Sequence, residues 1–283
     1  MRLSRFAPLG MALAVLAGCS EASNDPTTPT IPPLAYVRYI NAVPDTLNTT
    51  VRFIDQVEYS PFTFVNVPYR GLGQGNYQGA AAGSRKLRVF TADAVDYTTA
   101  GNTAILVDTT ITLEAGKYYT LLHAGNARTG SSPKQRLTVI NDVFPAAGSN
   151  IAVRAIHTAY GLGSADIYAT ATTTTALSGT PLFRGVAEGA VSAYVTTAPG
   201  AFATQIAAAG STTSLVAAAA PAGTAGTTSV DPVGGATQAG SVITAIAFPA
   251  TPANKAGPAT TRFTTAGVGY FIDKHPARTT PNP

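Results

Sequence analysis

Among 283 residues there is one cysteine, no tryptophan, three histidines and a charged fraction of only 11%. A lone cysteine permits no intrachain disulfide, so the fold must stand on hydrophobic cores. His123, His157 and His275 lie far apart, without metal-ligand spacing, so neither a metal site nor a cofactor is expected. Without tryptophan there is no indole platform for a sugar. The sparse charge contains no long basic run, which leaves no electrostatic footprint for nucleic acid. The apolar run from Phe6 to Ala17 is too short to cross a bilayer as a helix.

That run instead suits a secretory signal, preceded as it is by Arg2 and Arg5. It closes on Leu16-Ala17-Gly18-Cys19, which resembles the lipobox of bacterial lipoproteins. The resemblance implies that the Cys19 sulfur receives a diacylglycerol, that residues 1–18 are removed, and that the new amino group is acylated, for instance with palmitate. Each buried methylene contributes about 0.8 kcal/mol, so several acyl chains give a stable membrane anchor. Ser20 stands where an aspartate would favour inner-membrane retention, so the expected location is the outer membrane, lipid-anchored and periplasmic or surface-exposed. Loss of the signal leaves 265 residues, with the 18 basic residues reduced to 16 against 14 acidic ones. Two domains of ordinary size fit that length.

Residues 19–34 form the lipidated cysteine and a Thr/Pro-rich tether, too polar to build a core and able to span about 40 Å in extended form. After Leu34 the pattern has period two. Val51 and Phe53 flank Arg52, Leu87 and Val89 alternate with Lys86 and Arg88, and Ile111 and Leu113 flank Thr112. Dense Gly, Pro, Asn and Asp punctuation marks turns. The class is therefore all-β, and connections too short for helical crossovers imply antiparallel sheets. The expected architecture is two tandem antiparallel, immunoglobulin-like β-sandwiches.

The tandem expectation comes from an internal repeat. Tyr36-Val37-Arg38-Tyr39-Ile40-Asn41-Ala42 recurs 116 residues later as Ala152-Val153-Arg154-Ala155-Ile156-His157-Thr158. Tyr77 corresponds to Tyr194 at an offset of 117, Ala115 to Leu121 matches Ala239 to Ala245 at 124, and Asn141 to Pro145 matches Ile272 to Pro276 at 131. The copies run from 35 to 147 and from 150 to 276, with a tail at 277–283. An insertion in the low-complexity stretch around Pro221 to Gly235 accounts for the slip of seven.

The opening Val37-Arg38-Tyr39-Ile40-Asn41-Ala42, then Pro44-Asp45, the Val51–Phe53 strand and Ala115-Gly116-Lys117-Tyr118-Tyr119-Thr120 resemble the DUF4397 domain family. That family has no assigned biochemical function. Its members typically open with a histidine followed by Pro-Asp. The first copy keeps Pro-Asp but has Asn41, whereas the second keeps His157 but has Tyr160-Gly161. Neither retains the pair, which argues for a structural role of the motif.

Catalytic candidates are few. His157, Ser164 and Asp166 are the tightest cluster, but no nucleophile elbow accompanies them, so no catalytic residue is assigned. Arg70 to Asn76 fails as a phosphate loop because Asn76 stands at the last glycine position and no helix pattern follows. Arg85, Lys86 and Arg88 read as a solvated strand face. Eight of the 12 tyrosines lie in the first copy, and Tyr69, Tyr77 and Tyr97 are the candidates for a glycan- or peptide-binding groove. From Val191 to Asn254 the only charge is Asp231, a surface open to self-association.

The sequence thus points to a non-enzymatic envelope lipoprotein presenting β-sandwich domains for binding or scaffolding. Its expected partners are the membrane, through the lipid, and an envelope protein or glycan. The alternative is a carbohydrate-binding or carbohydrate-processing accessory lipoprotein.

Overall fold

The computed structural model describes residues 32–55, 63–73, 75–91, 105–252 and 263–278. Cys19, the tether up to residue 31 and Tyr97 lie outside them. Among the described residues every regular element is a strand. These are β1 (Leu34–Ala42), β2 (Thr49–Phe53), β3 (Thr63–Val67), β4 (Gly71–Leu72), β5 (Gln78–Ala81), β6 (Gly83–Thr91), β7 (Ile105–Leu113), β8 (Tyr118–Ala124), β9 (Arg136–Asp142), β10 (Ile151–His157), β11 (Ala165–Thr170), β12 (Phe183–Val186), β13 (Val195–Thr197), β14 (Ala203–Ala208), β15 (Val216–Ala219), β16 (Val242–Phe248) and β17 (Gly267–Lys274).

The strands form four sheets. In the N-terminal half one sheet runs β3-β2-β6-β7, and the other runs β4-β1-β8-β9, with β5 also paired to β1. The C-terminal half has the sheets β12-β11-β14-β15 and β13-β10-β16-β17. The order of strands is the same in both halves. The period-two segments fall where expected, Val51 and Phe53 on β2, Leu87 and Val89 on β6, Ile111 and Leu113 on β7, all facing the core.

The expectation of antiparallel sheets needs a correction. Both β1/β8 and β10/β16 are parallel, with Arg38 opposite Thr120 and Arg154 opposite Thr244. Short turns dictate antiparallel pairing only between neighbours in sequence. These partners are joined through the whole of the other sheet of their half, a connection long enough to return the chain in parallel.

Three hydrophobic clusters stack the four sheets as layers. Val37, Tyr39 and Leu121 meet Phe53, Phe64 and Leu87 inside the N-terminal half, and Ile151 and Val153 meet Ile167, Phe183 and Ile206 inside the C-terminal half. A third cluster lies between the halves, where Ile40 and Leu122 pack on Ile156, Ile246, Phe248 and Phe271. β1, β8, β10 and β16 are consequently covered on both faces, and β10 and β16 are buried at every residue. Alternate residues of one strand serve different cores: Val37 and Tyr39 point into the N-terminal half, while Arg38 and Ile40 point at its neighbour. Covering each such aliphatic or aromatic side chain contributes about 1.5–3 kcal/mol.

Gly73 shows why the Gly71–Gly75 stretch is rich in glycine. A Cβ there would sit 2.3 Å from Phe64 Cδ1, so the backbone itself closes the core at this point.

Candidate functional site

Two arginines lie in the layer between the halves, beside the apolar cluster of Ile40, Leu122, Ile156, Ile246, Phe248 and Phe271. Arg38 on β1 is fully buried, and its Nη2 touches Asp273 Oδ1 on β17 at 2.6 Å, as an ion contact rather than an aligned hydrogen bond. Arg154 on β10 mirrors it, donating from Nη2 to Asp142 Oδ1 on β9 at 2.5 Å. Each arginine thus pairs with the aspartate of the other half.

The remaining bonds stay within each half and repeat one another. Arg38 Nε donates to Thr120 Oγ1 at 2.8 Å, and Thr120 donates to Asp142 Oδ2 at 2.5 Å. In the second half Arg154 Nε donates to Thr244 Oγ1 at 2.8 Å, and Thr244 donates to Asp273 Oδ2 at 2.6 Å. Tyr77 and Tyr194 donate their hydroxyls to the same Oδ2 atoms at 2.8 and 2.7 Å. The guanidinium carbons of Arg38 and Arg154 lie 4.7 and 4.8 Å from the Tyr77 and Tyr194 ring centroids. Eight side chains close into one ring of reciprocal contacts.

The electrostatics follow from this geometry. Burial disfavours the charge on Arg38, but Asp273, followed by Tyr77 and Asp142, outweighs it and holds the guanidinium pKa above its usual value. Arg154 behaves alike, with Asp142 first among the groups that overcome its burial. Burial pushes the Tyr77 and Tyr194 phenols well above the ordinary tyrosine range, so both remain donors at any physiological pH.

A second set of contacts ties the halves together further along the interface. The Tyr69 hydroxyl donates to the Pro249 carbonyl, and Arg70 donates to the carbonyls of Pro249 and Thr265 at 2.8 and 2.6 Å. Arg70 lies 4.1 Å from the Phe263 ring centroid. Burial raises the Tyr69 pKa to about 12 despite the nearby Arg70. Tyr69 and Tyr77, read from the sequence as groove residues, therefore have both ring and hydroxyl engaged inside the protein. Ring area and a polar tip suit tyrosine equally to an internal seam.

The His157, Ser164 and Asp166 cluster does not assemble. His157 Nε2 donates to the Gly163 carbonyl at 2.8 Å, while Nδ1 accepts from the Ala159 amide at 3.2 Å. Asp166 accepts from the Gly185 and Gly210 amides at 2.7 and 2.9 Å, and bonds from Gly210 and then Gly185 hold its pKa below the usual value. Asn41 does in the first half what His157 does in the second. Its Oδ1 accepts from the amide two residues on, Val43, at 3.1 Å, and its Nδ2 donates to the Val67 carbonyl at 3.0 Å. Asp45 accepts from the Ala127 and Arg128 amides at 2.7 and 3.2 Å. Asn41, His157 and Asp45 all hold loops.

His123 is buried in the N-terminal core, with Nδ1 2.9 Å from the Tyr39 hydroxyl and Nε2 2.8 Å from Gln135 Oε1. Burial lowers its pKa to about 4. The Arg85, Lys86 and Arg88 face is balanced by Asp55 and Asp108. Among the described residues, no three of His, Cys, Asp and Glu gather as a metal site.

Sequence reasoning matched the segments that contain the ring without assigning its members a role. The available signal was that Arg and Asp, rare in this chain, recur at corresponding positions of the repeat.

An open cleft of about 390 Å³ adjoins the ring and includes Lys117, Tyr118, Asp142, Phe144, Asp273 and Lys274 in its lining.

Fold and site together define an all-β protein in which paired β-sheets are joined across a buried ion-pair ring. The family described as "Domain of unknown function (DUF4397)" matches residues 35–168. No curated protein matches the sequence. Among solved structures, one described as a candidate cell adhesion protein from Parabacteroides distasonis aligns at 10% identity and a TM-score of 0.20. The alignment covers 86% of this chain and 100% of that one. A likeness so slight carries no argument about this chain.

Proposed function

We propose that the protein is a non-enzymatic envelope lipoprotein that holds two DUF4397-like β-sandwiches, at 35–147 and 150–276, as one rigid body for binding or scaffolding. The observation that carries this reading is the closed Arg38–Asp273 and Arg154–Asp142 ring. It commits the charges of Arg38, Asp273, Arg154 and Asp142 to joining the halves. The recurrence of one strand order in both halves supports the second copy. The lipobox residues Leu16 to Cys19 support the anchor, and Ser20 supports the outer membrane.

Metabolic labelling with palmitate in a bacterial host tests the anchor. The expected result is label that fractionates with the outer membrane and disappears in Cys19→Ala. Absence of label in the unmodified protein overturns the lipoprotein reading.

A further inference from the structure

We infer that the cleft beside the ion-pair ring is a binding site for an acidic saccharide, which stacks on Tyr118 and Phe144 and is held by Lys117 and Lys274. This rests on reading the protein as a binding module, and it names where that module binds.

The aromatic side of the cleft, Tyr118 and Phe144, belongs to a larger cluster of rings behind it. Tyr118 stacks on Tyr36 with centroids 4.7 Å apart and planes 17° from parallel, and it meets Phe144 at 5.0 Å and Tyr77 at 5.2 Å. Tyr36, Tyr118 and Phe144 are all partly exposed. The hydroxyls of Tyr39, Tyr69, Tyr77, Tyr119, Tyr194 and Tyr270 are hydrogen-bonded within the protein. Those of Tyr36 and Tyr118 have no protein partner among the described residues. That of Tyr118, which lines the cleft, remains available to a ligand.

The other half of the molecule provides an internal control. At the positions corresponding to Tyr36, Lys117, Tyr118 and Phe144 stand Ala152, Ser241, Val242 and His275. The pairing of Tyr36 with Tyr118 in the first half is matched by that of Ala152 with Val242 in the second. Arg38, Tyr77, Thr120 and Asp142, in contrast, are repeated as Arg154, Tyr194, Thr244 and Asp273. The same strand order is built with and without the aromatic cluster, so the fold does not require it.

The chemistry selects the ligand class. Sugar rings present C–H faces to aromatic rings and hydroxyls to polar groups, and the cleft volume lies in the range of about 300–1,000 Å³ usual for small ligands. Lys117 and Lys274 are exposed and have no acidic partner within ion-pair distance among the described residues, although Glu114 lies in the turn before Lys117. Asp142 and Asp273 also line the cleft, but their oxygens are already engaged by Arg38, Arg154, Thr120, Thr244, Tyr77 and Tyr194, so the two lysines set its sign. A uronate joins a C–H face for the rings to a carboxylate for the lysines, whereas phosphate offers the rings no such face. A larger cleft of about 590 Å³, lined chiefly by Ala, Gly and Pro, offers no aromatic face.

Titration of the purified full-length protein with trigalacturonate, galactotriose and inorganic phosphate, followed by calorimetry, tests the site. Trigalacturonate should bind at least about tenfold more tightly than either of the others, with affinity falling as salt rises. Tyr118→Val, which installs the residue of the other half, should weaken it about tenfold while the protein keeps a single cooperative thermal transition. The double variant Lys117→Ala/Lys274→Ala should remove the preference over galactotriose. No trigalacturonate binding, equal binding of galactotriose, competition by phosphate at similar concentration, or full affinity in the variants would overturn the assignment. Binding retained in a Cys19→Ala protein that carries no palmitate would separate this site from the anchor.

Discussion

Arg38 and Asp273 are 235 residues apart in sequence, yet their charged groups touch at 2.6 Å with both side chains fully removed from solvent. Arg154 and Asp142 repeat the contact in reverse, so the two halves are locked by symmetric exchange of charge. An ion pair so deeply buried gains little over a well-packed apolar pair, but removing one partner strands the other in a low dielectric.

Arg38→Met and Asp273→Asn should therefore each cost about 3–5 kcal/mol in denaturant unfolding, because each leaves the partner's charge buried and unpaired. The double variant Arg38→Met/Asp273→Leu should recover much of the loss, giving a strongly non-additive double-mutant cycle. Additive losses would mean that the contact carries no coupling.

Asn41 and His157 make the same pair of backbone bonds, one as acceptor from the amide two residues on and one as donor to a loop carbonyl. His157→Asn should thus leave stability within about 1 kcal/mol, whereas His157→Leu should lose roughly 1–3 kcal/mol by orphaning a buried amide and a carbonyl. Thermal unfolding of both variants checks this. Equal losses would refute the loop-holding role.

His123 makes stability depend on pH. Its folded pKa of about 4 lies below the unfolded value near 6.5, so between these two pH values the unfolded chain binds the extra proton. Stability should accordingly fall as pH drops through that window, by on the order of 3 kcal/mol from this group, and His123→Gln should flatten the dependence there. Asp166 acts in a lower window. Its folded pKa is depressed, so its contribution is present above the ordinary carboxylate value and is lost as pH falls through the folded one.

The strand class was legible in the sequence because period two and turn punctuation are local signals. The repeat offsets land on Arg38/Arg154, Tyr77/Tyr194, Thr120/Thr244 and Asp142/Asp273, the members of the ring. What the residues were for was not legible. An arginine inside an alternating strand normally marks the wet face, and only the stacking of β1 and β8 on β10 and β16 turns that face inward. The parallel pairs were hidden for a related reason, since they join strands whose connection passes through another sheet. Tyr69 and Tyr77 attracted notice as aromatic residues with polar tips, and those properties are used at the internal seam.

The central claim is that the halves behave as one body, and calorimetric unfolding of the unmodified protein tests it most directly. A single transition, with calorimetric and van't Hoff enthalpies in agreement, is predicted for the chain from residue 33 onward. Two separate transitions, each with the enthalpy of one half, would contradict it.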